Sequence, residues 1–294
     1  MEDKPEIPVL IVGCGYIGRR VAALAMDQGQ QVTGLVRSAE SAHVLLAAGI
    51  SVLQADLDRP LSPLSAGNVY YFAPPPGAGM VDTRMQHFLD ALAMVPQRIV
   101  YISTSAVYGD CDGAWIDEQQ PVAPTTGRGR RRLDAEQQLQ NWCRGHGSQW
   151  VILRVPGIYG PGKLPLARLR EGLPVLREAD APFTNRIHAD DLAMVCIAAM
   201  QSSHHNTLYN VSDGHPGNMT DYFFRVADAA GLPRPPEVAR EQAETVLSPG
   251  MLSFLRDSRR MSNDKLLNEL GISLQYPDLQ AGLAGCFADR SGRR

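Results

Sequence analysis

The chain is 294 residues long, 44% hydrophobic and 20% charged, enough for one large domain or two interleaved lobes around a substantial core. Its 28 Lys and Arg against 31 Asp and Glu give a formal net charge of −3, which argues against the broad basic face of a nucleic-acid protein and makes any cluster of cations a local feature. Five scattered cysteines (Cys14, Cys111, Cys143, Cys196 and Cys286) form no CxxC pair, and His204 and His205 have no partners at ligand spacing. The expectation is therefore a reducing, cytoplasmic setting, with no disulfide framework and no metal site.

The opening MEDKPEIP is acidic, and the apolar run after it is too short for a membrane span, so neither a signal peptide nor a membrane partner is expected. Short apolar runs then alternate with amphipathic stretches: PVLIVG and IGRRVAALAMDQG, QVTGLV and AESAHVLLAAG, SVLQ, NVYYFA, TRMQHFLDALAMV, RIVYIS. The helix LDAEQQLQNWCRGHG follows, and WVILRV continues the series as a sixth strand. Strands alternating with helices imply right-handed crossovers, so the fold expected is α/β, a Rossmann-type doubly wound parallel sheet with a smaller C-terminal substrate lobe. Residues 1–155 are assigned to the dinucleotide-binding core, with 186–212 returning to it. Residues 156–185 and 213–294, rich in Gly and Pro loops, are assigned to the smaller lobe over the carboxyl ends of the strands.

VLIVGCGYIGRRVA places Gly13, Gly15 and Gly18 in GxGxxG spacing between a strand and a helix. Gly13 allows the tight turn, Gly15 lets the backbone approach a pyrophosphate, and Gly18 lets helix and strand pack closely, while the helix start supplies the anion site. Cys14, inside this turn, reads as a small filler. Where an NAD site presents a carboxylate to the ribose 2′-hydroxyl, the second strand ends in Val36 and then Arg37. A guanidinium suits a 2′-phosphate, at about 1.5–3 kcal/mol per charge-assisted bond, so NADP(H) is favoured over NAD(H). Asp56, after the third strand, is a candidate acceptor for the adenine amino group or a loop cap.

TTGRGRRR, residues 125–132, sets Arg128, Arg130, Arg131 and Arg132 at a helix start, where each cation costs roughly 0.3–1 kcal/mol unless an anion is near. Arg128 and Arg132 share one face and are read as facing an anionic ligand. Arg130 and Arg131 are expected to point to solvent and pair with Asp134 or Glu136 on their own helix.

Together VGCGYIG, ADL, YFAPPP, YISTSAVYGD, LRVPGIYGPG, RIHADDLA, YNVSDG and SNDKLLNELG resemble the extended short-chain dehydrogenase/reductase superfamily, of the nucleotide-sugar epimerase/dehydratase type. The resemblance runs from Val9 to about Pro277. It implies cofactor contacts from Tyr16, Ile17, Leu57, Ala73, Pro74, Ser103 and Pro156 besides the glycines, Arg37 and Asp56. It also implies that Thr104, three residues before VYG, polarises the substrate oxygen. The superfamily's catalytic Tyr and Lys open the next helix; counting back from Glu136 puts Arg128 and Arg132 in those places. A phenol with pKa near 10 costs about 4 kcal/mol to deprotonate at pH 7 and an Arg above 12 about 7 or more, so Arg128 is no general base. A literal YxxxK, Tyr159 to Lys163, is interrupted by Gly-Pro-Gly and cannot stack a helical turn.

Tyr108 reads as packing, and Asp110, Cys111 and Asp112 as a polar loop. His188, in a stretch leading into a helix, reads first as a hydrogen-bonded structural histidine, and its pKa range makes it the best alternative acid or base. These departures narrow the resemblance to atypical, YeeZ-like members. Two functions follow: an NADP(H)-dependent oxidoreductase or epimerase acting on an anionic, sugar-nucleotide-like or other hydroxyl/carbonyl substrate, or a catalytically silent NADP(H)-binding sensor or partner-docking protein. Apolar stripes on TRMQHFLDALAMV and LDAEQQLQNWC would serve a homodimer or a core equally well.

Overall fold

The structure is a computed structural model, and it describes residues 8–288; the acidic opening segment, residues 1–7, lies outside them. Strands β1 (Val9–Val12), β2 (Val32–Val36), β3 (Ser51–Gln54), β4 (Asn68–Tyr71), β5 (Arg98–Thr104), β6 (Gln149–Val155) and β7 (Thr207–Asn210) form one sheet. The order is β7-β6-β5-β4-β1-β2-β3, and every neighbouring pair is parallel. The order reverses between β1 and β4, the point where open sheets of this kind leave a crevice at their carboxyl edge. The Rossmann-type doubly wound sheet is thus observed, with β7 as a seventh strand.

Alternation along β1 shows how the sequence builds two cores. Val9 and Ile11 face a layer containing Val21, Ala22 and Ala25 of α1 (Tyr16–Asp27), with Ala42 and Leu45 of α2 (Ala39–Ala47) beside them. Leu10 and Val12 face the opposite layer, where Met85 and Phe88 of α3 (Thr83–Asp90) meet Ala135 and Leu139 of α4 (Gly127–His146). Because both faces are covered, the strands are continuous apolar runs. A separate apolar cluster joins Leu169 of α5 (Leu166–Arg170) to Phe223, Val226 and Ala227 of α7 (Met219–Ala230). Between them α6 (Ala189–Gln201) returns to the main sheet and packs on the α1 side.

Two helix limits differ from the sequence reading. The stretch through Val95 leaves the helix after Asp90, because Ala91 and Ala93 exchange backbone bonds with Leu64 (2.7 and 2.8 Å) and Pro96 closes the segment. α4 starts at Gly127, so the arginines lie inside it; Thr126 caps it by accepting from Gly129 N, and Gly147 ends it at φ +75°. Arg131 departs from expectation too. It is buried and donates to Gly79 O at 2.7 Å, since α4 presses that side of its first turn against the loop before α3. Arg130 stays exposed and bonds Pro124 O, and Asp134 accepts instead from Asp82 N and Gln138. Among the described residues, no helix is long and apolar enough to cross a membrane.

Candidate active site

The turn after β1 is built as a cradle. Gly13 sits at φ +81°, and a Cβ there would stand 2.6 Å from Ala73 N and 2.8 Å from Ala73 Cα, both backbone atoms. Gly15 caps α1 without a side-chain bond, and a Cβ on it would meet nothing nearer than Gly13 O at 4.0 Å, so it faces open space. Gly18 packs within 3.1 Å of Ile11 Cγ2 and 3.3 Å of Cys14 Sγ. Cys14 is a buried filler whose thiol is pushed up to about 12 by desolvation. The first turn of α1 carries no acid, leaving its positive end to an anion.

A cleft of about 310 Å³ opens beside this turn, lined by Gly13, Val36, Arg37, Asp56, Leu57, Ala73, Pro74 and Arg84. The structure thus gathers half of the expected cofactor residues around one space. Gly15, Tyr16 and Gly18 form the turn and helix start, while Ile17 is turned into the core. Asp56 accepts from Asp58 N at 3.1 Å, the loop-capping role weighed from sequence, while still lining the cleft. A pyrophosphate fits the cradle and an adenosine the cleft. Tyr16 donates to Pro161 O at 2.9 Å, with the Arg20 guanidinium 4.0 Å and the Lys163 ammonium 5.2 Å from its ring centre.

A second cavity, of about 670 Å³, lies over the ends of β5 and β6 and contains Thr104, Arg128, Arg132 and Pro156. Thr104 caps the 3-10 turn Ser105–Val107 by accepting from Ala106 N (3.3 Å), leaving its hydroxyl proton to donate. Arg132 donates to Ile102 O (2.8 Å), Tyr101 Oη (3.1 Å) and Ala73 O (3.3 Å), tying the ends of β4 and β5 together. Arg128 is exposed at the cavity, with desolvation and then neighbouring Arg132 holding its guanidinium below the usual value.

Two further expected residues are buried, Ser103 on the wall of this cavity and His188 outside it. Ser103 is buried and lends its hydroxyl to Glu136 Oε1 at 2.5 Å, because Glu136 and Arg154 form a buried pair directly behind it. His188 is 1% exposed and does not line the Thr104 cavity. Its Nδ1 caps α6 by accepting from Asp190 N (3.3 Å), its ring lies among Tyr159, Tyr276 and Cys286, and desolvation lowers its pKa. Burial and the capping bond support the structural reading of this ring.

Residues missed from sequence come from distant segments. Lys163, Arg168, Arg186 and Arg259 join Arg128 and Arg132 on the cavity wall, against the carboxylate of Asp257. Asp257 pairs with Arg259 at 3.3 Å and accepts from Thr125. Arg186 stands 3.9 Å over the ring of Tyr222, the phenol that lines the cavity, and its buried Nε has no hydrogen-bond partner. Burial raises the Tyr222 phenol, while Arg186 pulls it down. Tyr159 is buried on Asp278 O, away from Lys163's cavity, so the literal YxxxK forms no pair. Tyr108 bonds Asn210, and Asp110 accepts from Ser258 N and Asp112 N, as packing and loop roles require.

Behind Arg186, Asp213 is 4% exposed, its Oδ2 lacks a partner, and desolvation pushes its pKa to about 6. The folded chain therefore holds this proton more tightly than the unfolded chain. The stability it contributes is full below about pH 4 and is lost as pH rises through about 6, by at most about 3 kcal/mol. Urea midpoints at both ends of that window should show Asp213→Asn flattening this part of the wild-type profile; parallel profiles would refute it.

A family model described as the NAD dependent epimerase/dehydratase family matches residues 83–212. The chain is 28% identical to protein YeeZ of Escherichia coli K12, covering 92% of this chain and 96% of that one. A solved structure of a conserved protein of unknown function from Silicibacter pomeroyi is 32% identical with a TM-score of 0.83, covering 97% of this chain and 99% of that one. The fold of a Thermus thermophilus UDP-glucose 4-epimerase, solved as a complex with NAD, also superposes, with TM-score 0.76, 22% identity and coverage of 98% and 100%. With the fold shared end to end and the family pattern running through the segment that carries Thr104, Arg128 and Arg132, the chain belongs to the NAD-dependent epimerase/dehydratase family.

Proposed function

We propose that the chain binds NADP(H) in the cleft beside the glycine turn. There it acts as an oxidoreductase or epimerase on an anionic, sugar-nucleotide-like or other hydroxyl/carbonyl substrate held in the adjoining cavity. The observation that carries this reading is Thr104 opening onto a wall with six cations, Arg128, Arg132, Lys163, Arg168, Arg186 and Arg259, and one carboxylate, Asp257. Buried guanidinium atoms without partners favour an anion in such a space.

The Gly13–Gly18 turn would hold the pyrophosphate, Asp56 and Leu57 the adenine, and Arg37 the 2′-phosphate. A bound nicotinamide dinucleotide supplies hydride exchange. Thr104 orients the reacting oxygen, and Arg128 stabilises negative charge as it develops there. Neither arginine moves a proton near neutral pH, and His188 is walled off, so proton transfer falls to water or Tyr222.

One observation favours the silent-binder alternative: Arg132 is already committed to Ala73, Tyr101 and Ile102 as a staple between strands. Calorimetry with NADPH and NADH, then absorbance of the bound dinucleotide during addition of UDP-glucose and UDP-glucuronate, separates the readings. The expected result is NADPH binding about tenfold tighter than NADH, with a change in absorbance or in sugar configuration. Binding without any turnover supports the silent reading, and no binding of either dinucleotide overturns both.

A further inference from the structure

Arg84 leaves the first turn of α3 and lines the same cleft as Arg37. Its fork grips Asp58 at two points, Nε to Oδ1 at 2.6 Å and Nη2 to Oδ2 at 2.7 Å, while Nη1 donates to Pro74 O at 3.0 Å and Pro75 O at 3.4 Å. Asp58 is itself fixed in register, its backbone N–H donating to Asp56 Oδ1 at 3.1 Å. Asp56, Arg37 and Arg84 thus line the cleft, and Asp58 is tied to its edge by the Arg84 fork. The Asp58 carboxyl lies below the usual range, chiefly through the Arg84 hydrogen bond, with Arg37 and His87 also pulling it down.

Because Arg37 and Arg84 line one cleft, the carboxylate that Arg84 grips stands beside the space that Arg37 serves. An unmasked carboxylate there would repel a phosphate on the adenosine ribose and compete with it for the Arg37 guanidinium. We propose that Arg84 is a specificity-determining residue: by occupying both oxygens of Asp58 it leaves Arg37 available to the 2′-phosphate and lets the cleft accept NADP(H). This rests on the reading that the cleft takes a nicotinamide dinucleotide. A ligand without the 2′-phosphate gains far less from the masking, so Arg84 acts on the choice between dinucleotides rather than on binding in general.

The test is calorimetry of the full chain with NADPH and NADH for wild type, Arg84→Met, Asp58→Asn and the double variant. Arg84→Met is expected to weaken NADPH by about tenfold or more and NADH by less than about threefold, with the double variant back within about threefold of wild type for NADPH. Asp58→Asn alone keeps the Arg84 bonds to Pro74 and Pro75 and is expected to bind NADPH as wild type does. Equal weakening of both dinucleotides without rescue by Asp58→Asn overturns the inference and reduces Arg84 to a brace for the Pro74–Pro75 loop. Should Arg84→Met not fold, Arg84→Lys keeps the charge and loses the two-point grip. It is then expected to weaken NADPH selectively by about threefold, and an unselective loss again overturns the proposal. Wild-type protein that binds neither dinucleotide removes the underlying reading and this inference with it, a result distinct from unselective binding.

Discussion

Gly13→Ala is expected to eliminate dinucleotide binding and to lower folding stability by about 2–5 kcal/mol. Two costs combine. At φ +81° an L side chain sits in the left-handed region, worth roughly 1–2 kcal/mol, and the new Cβ would stand 2.6 Å from Ala73 N and 2.8 Å from Ala73 Cα. Those are main-chain atoms just past the end of β4, so relief requires moving a strand end whose carbonyl also accepts from Arg132. Gly15→Ala separates folding from binding. At φ −92° and ψ −134°, outside the main regions for an L side chain but with nothing within 4 Å except Gly13 O, it should lower the urea midpoint much less than Gly13→Ala does, yet place a methyl where the proposed pyrophosphate would approach. A Gly15→Ala protein that folds normally and binds NADPH as tightly as wild type would remove the turn from the ligand site.

How far the sequence discloses this molecule depends on how local the physics is. Val9 to Val12 read as a buried strand because alternate residues feed two cores, and GxGxxG reads as a cradle because its glycines answer to one turn. Thr104 comes to notice through the resemblance that YISTSAVYGD carries rather than through strand physics. Arg131 departs from its local reading because its acceptor, Gly79 O, lies 52 residues away. His188 leaves two readings open in the sequence, a hydrogen-bonded structural ring and a proton carrier, and only the folded chain shows the ring capping the start of α6. Lys163, Arg186, Tyr222 and Arg84 carry no local signature, since what makes them a site is the meeting of segments that the chain keeps far apart.

The ion pair beneath the site supplies the second large effect, with Glu136→Ala expected to cost about 3–5 kcal/mol, read from denaturant midpoints. Glu136 is 1% exposed and Arg154 is 5% exposed, with Arg154 Nη2 2.7 Å from Oε2 and Nε 3.2 Å from Oε1. Burial alone would lower the Arg154 guanidinium's pKa, and the Glu136 carboxylate outweighs it, so removing the carboxylate strands a charge that Tyr108, with its ring centre 4.7 Å away, cannot neutralise. The same deletion leaves the Ser103 hydroxyl without its 2.5 Å acceptor, one residue before Thr104. Replacing both partners by leucine removes the stranded charge as well as the attraction, so Glu136→Leu/Arg154→Leu should recover most of the loss, to within about 1–2 kcal/mol of wild type. If the cost instead lay in strand geometry around Ser103, the double variant would stay as unstable as Glu136→Ala. Recovered stability with NADPH affinity retained would then show that charge compensation, rather than the identity of the pair, is what the end of β5 requires to present Thr104.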